Sequence, residues 1–211
     1  MKQKDFFLKS EGDKWFERNR DKIVNKLIQG QDVVVTQLLD LPPPLERILE
    51  IGCSNGYRLE WLNKILNCEC KGIEPSAKAV EEARKKGLDV QQGTADSLPY
   101  PSNYFDVVIF GFCLYLCDRE DLFKIAYEAD RVLKNPGWLI IHDFFSKTSC
   151  KNEYHHLPGL YSYKMDFKTL FTWHPSYTCF YSRIAHHETA QYTDSYHDWV
   201  EISVLRKCLT E

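Results

Sequence analysis

Between Ile48 and Leu66 the chain passes from a short apolar run, Ile48-Leu49-Glu50-Ile51, through Gly52 and Gly56 into apolar residues at helical spacing, Leu59, Leu62, Ile65 and Leu66. This switch of period predicts a buried strand, a glycine-containing turn and an amphipathic helix. The alternation continues downstream. "CKGIEPS" (70–76) reads as a second strand closed by Pro75, with Ser76 as a helix N-cap. Ala77 to Lys86 follows as a helix ended by Gly87, and "LDVQQG" (88–93) as a third strand. The long apolar run "NYFDVVIFGFCLYL" (103–116) predicts a fourth strand buried on both faces and continuing into a loop. From Arg119 to Lys134, Leu122, Ile125, Ala126, Ala129, Val132 and Leu133 share one helix side; "NPG" (135–137) stops that helix before a fifth strand, "WLIIHDFF" (138–145).

Upstream, Asp13 to Asp40 has a helical pattern through Trp15, Phe16, Ile23, Leu27, Ile28, Val33, Val34, Leu38 and Leu39, with Gly30 expected to divide it in two. Three consecutive prolines (42–44) end the helical part and deliver the chain to the first strand. Downstream, 146–175 is polar and aromatic with short helix potential at 166–171. "SYTCFYSRIAHHET" and "DSYHDWVEISVLRK" then alternate like two antiparallel strands joined near Tyr192 to Ser195. The expected fold class is α/β: a Rossmann-like open sheet of seven strands, mostly parallel, with an antiparallel C-terminal hairpin. One domain is expected over 1–211. It comprises an N-terminal helical lid (1–44), a ligand-binding core (45–145), and a substrate loop with the hairpin (146–211).

Composition narrows the function. A net charge of −3 with 27% charged residues gives no general affinity for polyanions, so nucleic acid is disfavoured as a partner. No apolar run suits a membrane span and the N-terminus lacks a secretory pattern, so a cytoplasmic location is expected. The eight cysteines fall as C-x-C (68, 70) and C-x-x-x-C (113, 117) among others, which is no doubled zinc pattern; free thiols and no metal are expected.

In open α/β sheets, ligands sit beyond the carboxyl ends of the strands. A dinucleotide fingerprint would need glycines at 52, 54 and 57, where the chain has Gly52, Ser54 and Tyr57. Glu50, Gly52, Ser54 and Gly56 instead fit E-x-G-x-G-x-G with serine at the middle glycine. That pattern resembles motif I of the class I S-adenosylmethionine-dependent methyltransferases. "GTADSLPYPSNYFDVVIF" and "RVLKNPGWLIIHDF" resemble two further blocks of the same family, with Asn135 inserted and Trp138 replacing a glycine.

The resemblance implies S-adenosylmethionine as cofactor and S-adenosylhomocysteine as product, with methyl transfer to O or N; the slightly acidic balance favours a small polar metabolite as acceptor, such as a modified sugar or a secondary-metabolite intermediate. It implies cofactor contacts at Glu50 (methionine amino group), Gly52, Cys53, Ser54 and Gly56 (the turn), and Glu74 with the adjoining Pro75 (ribose hydroxyls). Ala95 and Asp96 would meet the adenine edge, and Phe110, Gly111 and Phe112 the adenosyl and methionine parts. A backbone needing positive φ would make Ser54 costlier than glycine. For the acceptor side, "SEGDKWFERNR" (10–20) offers a lid through Trp15, Phe16, Arg18 and Asn19, and Tyr115 lies on the loop after the fourth strand. The loop containing His155, His156, Tyr161 and Tyr163 is dense in titratable groups and resembles a block in small bacterial methyltransferases; a histidine there would accept the proton. His186 and His187 are expected to be structural. A non-catalytic module that keeps the fold, and an RNA or protein methyltransferase, are the alternatives.

Overall fold

The computed structural model describes residues 2–28 and 32–208. The expected break at Gly30, and the side chains of Ile23, Leu27 and Ile28, lie outside what is described. Helix α1 (Gln3–Phe6) runs through a π turn (Phe7–Glu11) into α2 (Gly12–Ile28), and α3 spans Val33–Leu39. Then come β1 (Arg47–Ile51), α4 (Tyr57–Leu66), β2 (Glu69–Glu74), α5 (Ala77–Lys85), β3 (Asp89–Gln92) and β4 (Phe105–Gly111). Helix α6 (Leu122–Val132) leads directly into β5 (Leu133–Phe144). The last part holds β6 (Cys150–Glu153), β7 (Tyr161–Lys164), α7 (Thr169–Thr172), β8 (Tyr177–His186) and β9 (Trp199–Lys207).

Seven strands form one sheet in the order β3-β2-β1-β4-β5-β9-β8. The first five are parallel, and β9 runs antiparallel to both its neighbours. Strand order reverses at β1/β4, so the carboxyl ends of β1, β2 and β4 surround a ready-made crevice. Their runs read as continuously apolar because both faces are covered. Leu49, Ile51, Val108, Phe110 and Ile141 pack on the α6 side, while Ile48, Val107, Ile109 and Ile140 share the opposite core with α3, α4 and α5. Glu50 alternates with Leu49 and Ile51, so it faces α4 with Ile48.

Local chemistry explains the boundaries. Ser76 caps α5 by accepting from the Ala79 amide at 3.1 Å. Gly56, at φ 68°, starts α4 from the left-handed region, and a Cβ there would come within 2.5 Å of Leu88. Two expectations need correction. The "NPG" segment lies inside β5: Leu133 pairs with Phe105 and Trp138 with Val107, so residues 134–136 form an irregularity of the strand, while Gly137 already pairs with Lys207 of β9. The stretch after β5 is a two-stranded ribbon, β6 with β7, and the histidine-rich segment is its turn. All eight cysteines are free thiols, with Cys53, Cys68 and Cys70 buried as small apolar side chains. Among the described residues no helix is long and apolar enough to cross a membrane.

Candidate active site

At the carboxyl ends of β1, β2 and β4 lies a cleft of about 790 Å³ including its open mouth. Its walls bring together Gly52, Glu74, Pro75, Ala95, Asp96 and Phe112 from the expected set. The N-terminal segment supplies Lys4, Phe7, Gly12 and Trp15 as a roof.

The turn after β1 is fixed by amides aimed at β2: Gly52 and Cys53 donate to the Ile73 carbonyl at 2.8 and 3.3 Å. Gly52 has φ 78°, and a Cβ there would stand 2.7 Å from the Cys113 Cβ. Ser54 adopts φ 52°, the positive value that a motif glycine would take without strain. Glu74, at the end of β2, is buried and accepts from the Ser54 and Ser76 amides, each at 2.9 Å. Burial pushes its carboxyl up to about 7, against the pull of those two amides. Each oxygen accepts one amide and keeps a further lone pair.

Glu50 is buried beneath the turn and is absent from the cleft lining. Its Oε1 pairs with Arg58, while Oε2 has no hydrogen-bond partner among the described residues. Arg58 also donates to Asp32 at 3.0 Å and to the Tyr57 hydroxyl at 3.0 Å. Asp32 in turn caps α3 through the Val34 and Val35 amides. Sequence reasoning missed this residue, although Arg58 lies four positions before Leu62 and therefore on the helix face turned to the core. Gly111 makes room for the pair: a Cβ there would be 3.0 Å from Glu50 and 3.2 Å from Arg58.

Asp96 is engaged from the N-terminus. Lys4 Nζ reaches it at 2.5 Å and Asp121 at 2.8 Å, and the Thr94 hydroxyl donates to its other oxygen at 2.7 Å. Burial alone would raise the Asp96 carboxyl, but these hydrogen bonds and the Lys4 and Lys124 charges hold it at about 2. Phe112 sits at φ 51°, an uncommon setting for a bulky residue, with its ring 4.5 Å from that of His142. Strain of this kind collects where a site needs a side chain aimed.

The remaining expected residues are placed elsewhere. Phe110 is fully buried in the core against Phe171, because both faces of β4 are covered. Cys53 packs its sulfur over Gly72, and Gly56 serves the start of α4. His155 and His156 are exposed on the β6–β7 turn, and neither lines the cleft. Tyr161 and Tyr163 are also outside it: Lys151 sits 3.5 Å from the Tyr161 ring centre, and Arg119 4.2 Å from that of Tyr163. The histidines sit on the ribbon's exposed turn, while Tyr161 and Tyr163 are half-buried on β7. The aromatic groups that reach the cleft are Phe7, Trp15 and Phe112, and the Trp15 indole donates to the Tyr115 hydroxyl at 3.0 Å. Asp143 supports Tyr115 from below, accepting from the Leu114 and Tyr115 amides at 2.8 and 3.4 Å.

Away from the cleft, His186, His187 and Asp198 bring ligand-type atoms within 4.8 Å of one another, supplying the carboxylate that the histidine pair lacks in sequence. His186 Nδ1 accepts from the Glu188 and Thr189 amides at 3.1 and 3.4 Å, which leaves the proton of a neutral ring on Nε2. That arrangement stitches the β8–β9 connection.

Residues 49–141 match the family model described as a methyltransferase domain. An uncharacterized methyltransferase of Bacillus subtilis, YcgJ, is 32% identical over 108 residues, covering 47% of this chain and 41% of the relative. The chain spans about two fifths of the length of the curated relatives it matches. A Methanosarcina mazei structure titled as a SAM-dependent methyltransferase aligns with TM-score 0.66 at 16% identity, covering 82% of this chain and 97% of that one. A Haloferax volcanii methyltransferase solved with the Trm112 methyltransferase activator aligns with TM-score 0.71 at 16% identity, covering 94% and 98%. The fold is that of the class I methyltransferases. Over residues 49–141 the chain is similar in sequence to methyltransferase domains, and its fold is that of the S-adenosylmethionine-dependent methyltransferase structures it aligns with.

Proposed function

We propose that the cleft holds S-adenosylmethionine and that the chain transfers its methyl group to an O or N atom of a small polar molecule. The observation that carries this reading is the charge of the walls: Glu74, Asp96, Asp118 and Asp121 line the cleft against one cation, Lys4. Such a lining favours a cationic ligand and opposes the pyrophosphate of a nicotinamide dinucleotide, which needs free amides and no nearby carboxylates. When bound, the cofactor supplies a methyl activated by its sulfonium. The chain's residues supply fit and alignment. Glu74 presents a lone pair on each oxygen to a ribose diol and Gly52 leaves open the space a side chain would fill, while Glu50, paired with Arg58 beneath the turn, supports it from below. Ala95 and Asp96 flank the adenine end, with Lys4 sharing the Asp96 carboxylate.

The raised carboxyl of Glu74 sets a pH dependence. Folding alone favours its protonated form, so this group contributes stability fully below about 4.5, its ordinary value, and loses it as pH rises through about 7. A diol, by contrast, is accepted by the ionised form. Affinity for S-adenosylhomocysteine is therefore expected to rise about tenfold between pH 6 and pH 8, one pKa unit being a factor of ten. Titration calorimetry at both values checks it, and Glu74→Gln should flatten the profile.

The activity itself is tested by incubating the purified chain with methyl-tritiated S-adenosylmethionine and small amines and alcohols, alongside bulk tRNA. Label on a small molecule supports the reading. A second reading is favoured by the Haloferax volcanii neighbour, whose partner is an activator protein. Label on tRNA alone, or only after addition of a protein partner, would put that reading first.

A further inference from the structure

Three acids on the cleft wall, Asp96, Asp118 and Asp121, are engaged by one short stretch of chain. Asp118 accepts the Gln3 and Lys4 amides, one on each oxygen, at 2.9 and 3.0 Å. The buried Gln3 side chain ties the same stretch to the loop after β4 and to β7. Its Nε2 donates to the Leu116 and Tyr161 carbonyls at 2.6 and 2.8 Å, and its Oε1 accepts the Tyr161 amide at 2.9 Å. These bonds fix the backbone from which Lys4 extends. Its ammonium then sits between two carboxylates, Asp96 at 2.5 Å and Asp121 at 2.8 Å. Asp121 is held in turn by Lys2, through its other oxygen, at 2.6 Å. A lysine ordered at both ends has already lost the rotamer freedom that a ligand contact would otherwise cost.

Lys4 is also chemically distinct within the cleft. Among the described side chains that line it, only Lys4 and Trp15 carry N–H donors, and the Trp15 indole is given to the Tyr115 hydroxyl. The Thr94 hydroxyl is given to Asp96, and Ile73, Ala95 and Ile125 of the same lining are apolar. An ammonium has three donors, of which Asp96 and Asp121 take two. The third belongs to a side chain that is part of the wall and 26% exposed. Asp96 accepts Thr94 on one oxygen, and Lys4 with the more distant Lys124 on the other, which leaves a lone pair on the first oxygen. A donor and an acceptor held 2.5 Å apart complement a planar edge that shows an amino N–H beside a ring nitrogen. Adenine presents that edge twice, as its 6-amino group beside N1 and beside N7.

We propose that Lys4 is an adenine-reading residue: its third N–H donates to a ring nitrogen next to the 6-amino group, while Asp96 accepts from that amino group. The segment that roofs the cleft then contributes to cofactor specificity as well as cover. This rests on the reading of the cleft as a cofactor site.

The test is titration calorimetry of the full chain with S-adenosylhomocysteine and with its 1-deaza and 7-deaza adenine analogues. Each analogue replaces one ring nitrogen by C–H and keeps the 6-amino group. Wild type is expected to bind at least one analogue about tenfold or more weakly than the parent, the scale of a lost hydrogen bond to a charged donor; the analogue that suffers identifies the nitrogen. In Lys4→Met, the parent and that analogue should bind within about twofold of each other. Lys4→Ala, with circular dichroism as the check on folding, should read the same way. A tenfold preference that persists in both variants would overturn the proposal: Lys4 would then only cover the cleft, and a backbone amide would be reading the ring. A wild type that binds all three ligands alike would overturn it too, since no ring nitrogen is then read. A wild type that does not bind S-adenosylhomocysteine would remove the cofactor reading itself, and this assignment with it.

Discussion

Glu74→Ala is expected to weaken S-adenosylhomocysteine binding by about 100-fold or more. The ribose loses two hydrogen bonds to a charged acceptor, each worth about 1.5–3 kcal/mol, and about 1.4 kcal/mol is a factor of ten. The same change strips the Ser54 and Ser76 amides of their acceptor, so the turn itself loosens. Glu74→Gln separates the two effects: it keeps one acceptor and the side-chain volume, and should fall between wild type and alanine. Calorimetry with circular dichroism on each variant decides. An alanine variant that folds and binds as wild type does would remove Glu74 from the site.

The largest stability effect is expected at Arg58. Its guanidinium lies between Glu50 and Asp32, all three almost wholly buried. Burial drives the Glu50 carboxyl up to about 7 even against the Arg58 charge, so the acid depends on that partner to stay ionised. Arg58→Met leaves two buried carboxylates without their cation and should cost about 3–5 kcal/mol, the range for breaking a buried pair by removing one member. Adding Glu50→Gln should recover part of that loss, because one uncompensated charge goes with it. Urea unfolding of the single and double variants measures both numbers. A loss below about 1 kcal/mol in Arg58→Met would show that the three groups are not coupled.

These residues also show what the sequence could and could not disclose. The parallel core was legible because strands buried on both faces read as unbroken apolar runs, and helices between them keep a 3.6-residue period. The C-terminal pair was legible from its alternation. The turn's Ser54 could be flagged for positive φ because its place in the motif is glycine's. What stayed hidden depends on contacts distant in sequence. Arg58 joins Glu50 across 8 residues and Asp32 across 26, and no local pattern marks that triangle. Lys4 reaches Asp96 across 92 residues, turning an expected adenine contact into a shared one.

The β6–β7 ribbon was hidden for a different reason. Three of the four β6 residues, Lys151, Asn152 and Glu153, are exposed, so no buried face imposes a period-2 pattern. Its turn therefore looked like a functional loop, and His155 and His156 drew attention that solvent exposure explains. The π turn over the cleft, Phe7–Glu11, was hidden as well. Such turns leave no hydrophobic signature, and Gly12 beside it was the one local hint.

Cofactor recognition by this cleft is the claim on which the rest depends. Its most direct measurement is calorimetric titration of the purified chain with S-adenosylhomocysteine, with NAD as the control ligand. Micromolar binding of S-adenosylhomocysteine and no binding of NAD is the predicted result. Binding of NAD, or of neither, would contradict it: the cleft would then not be built for the adenosyl and amino-acid parts of this cofactor.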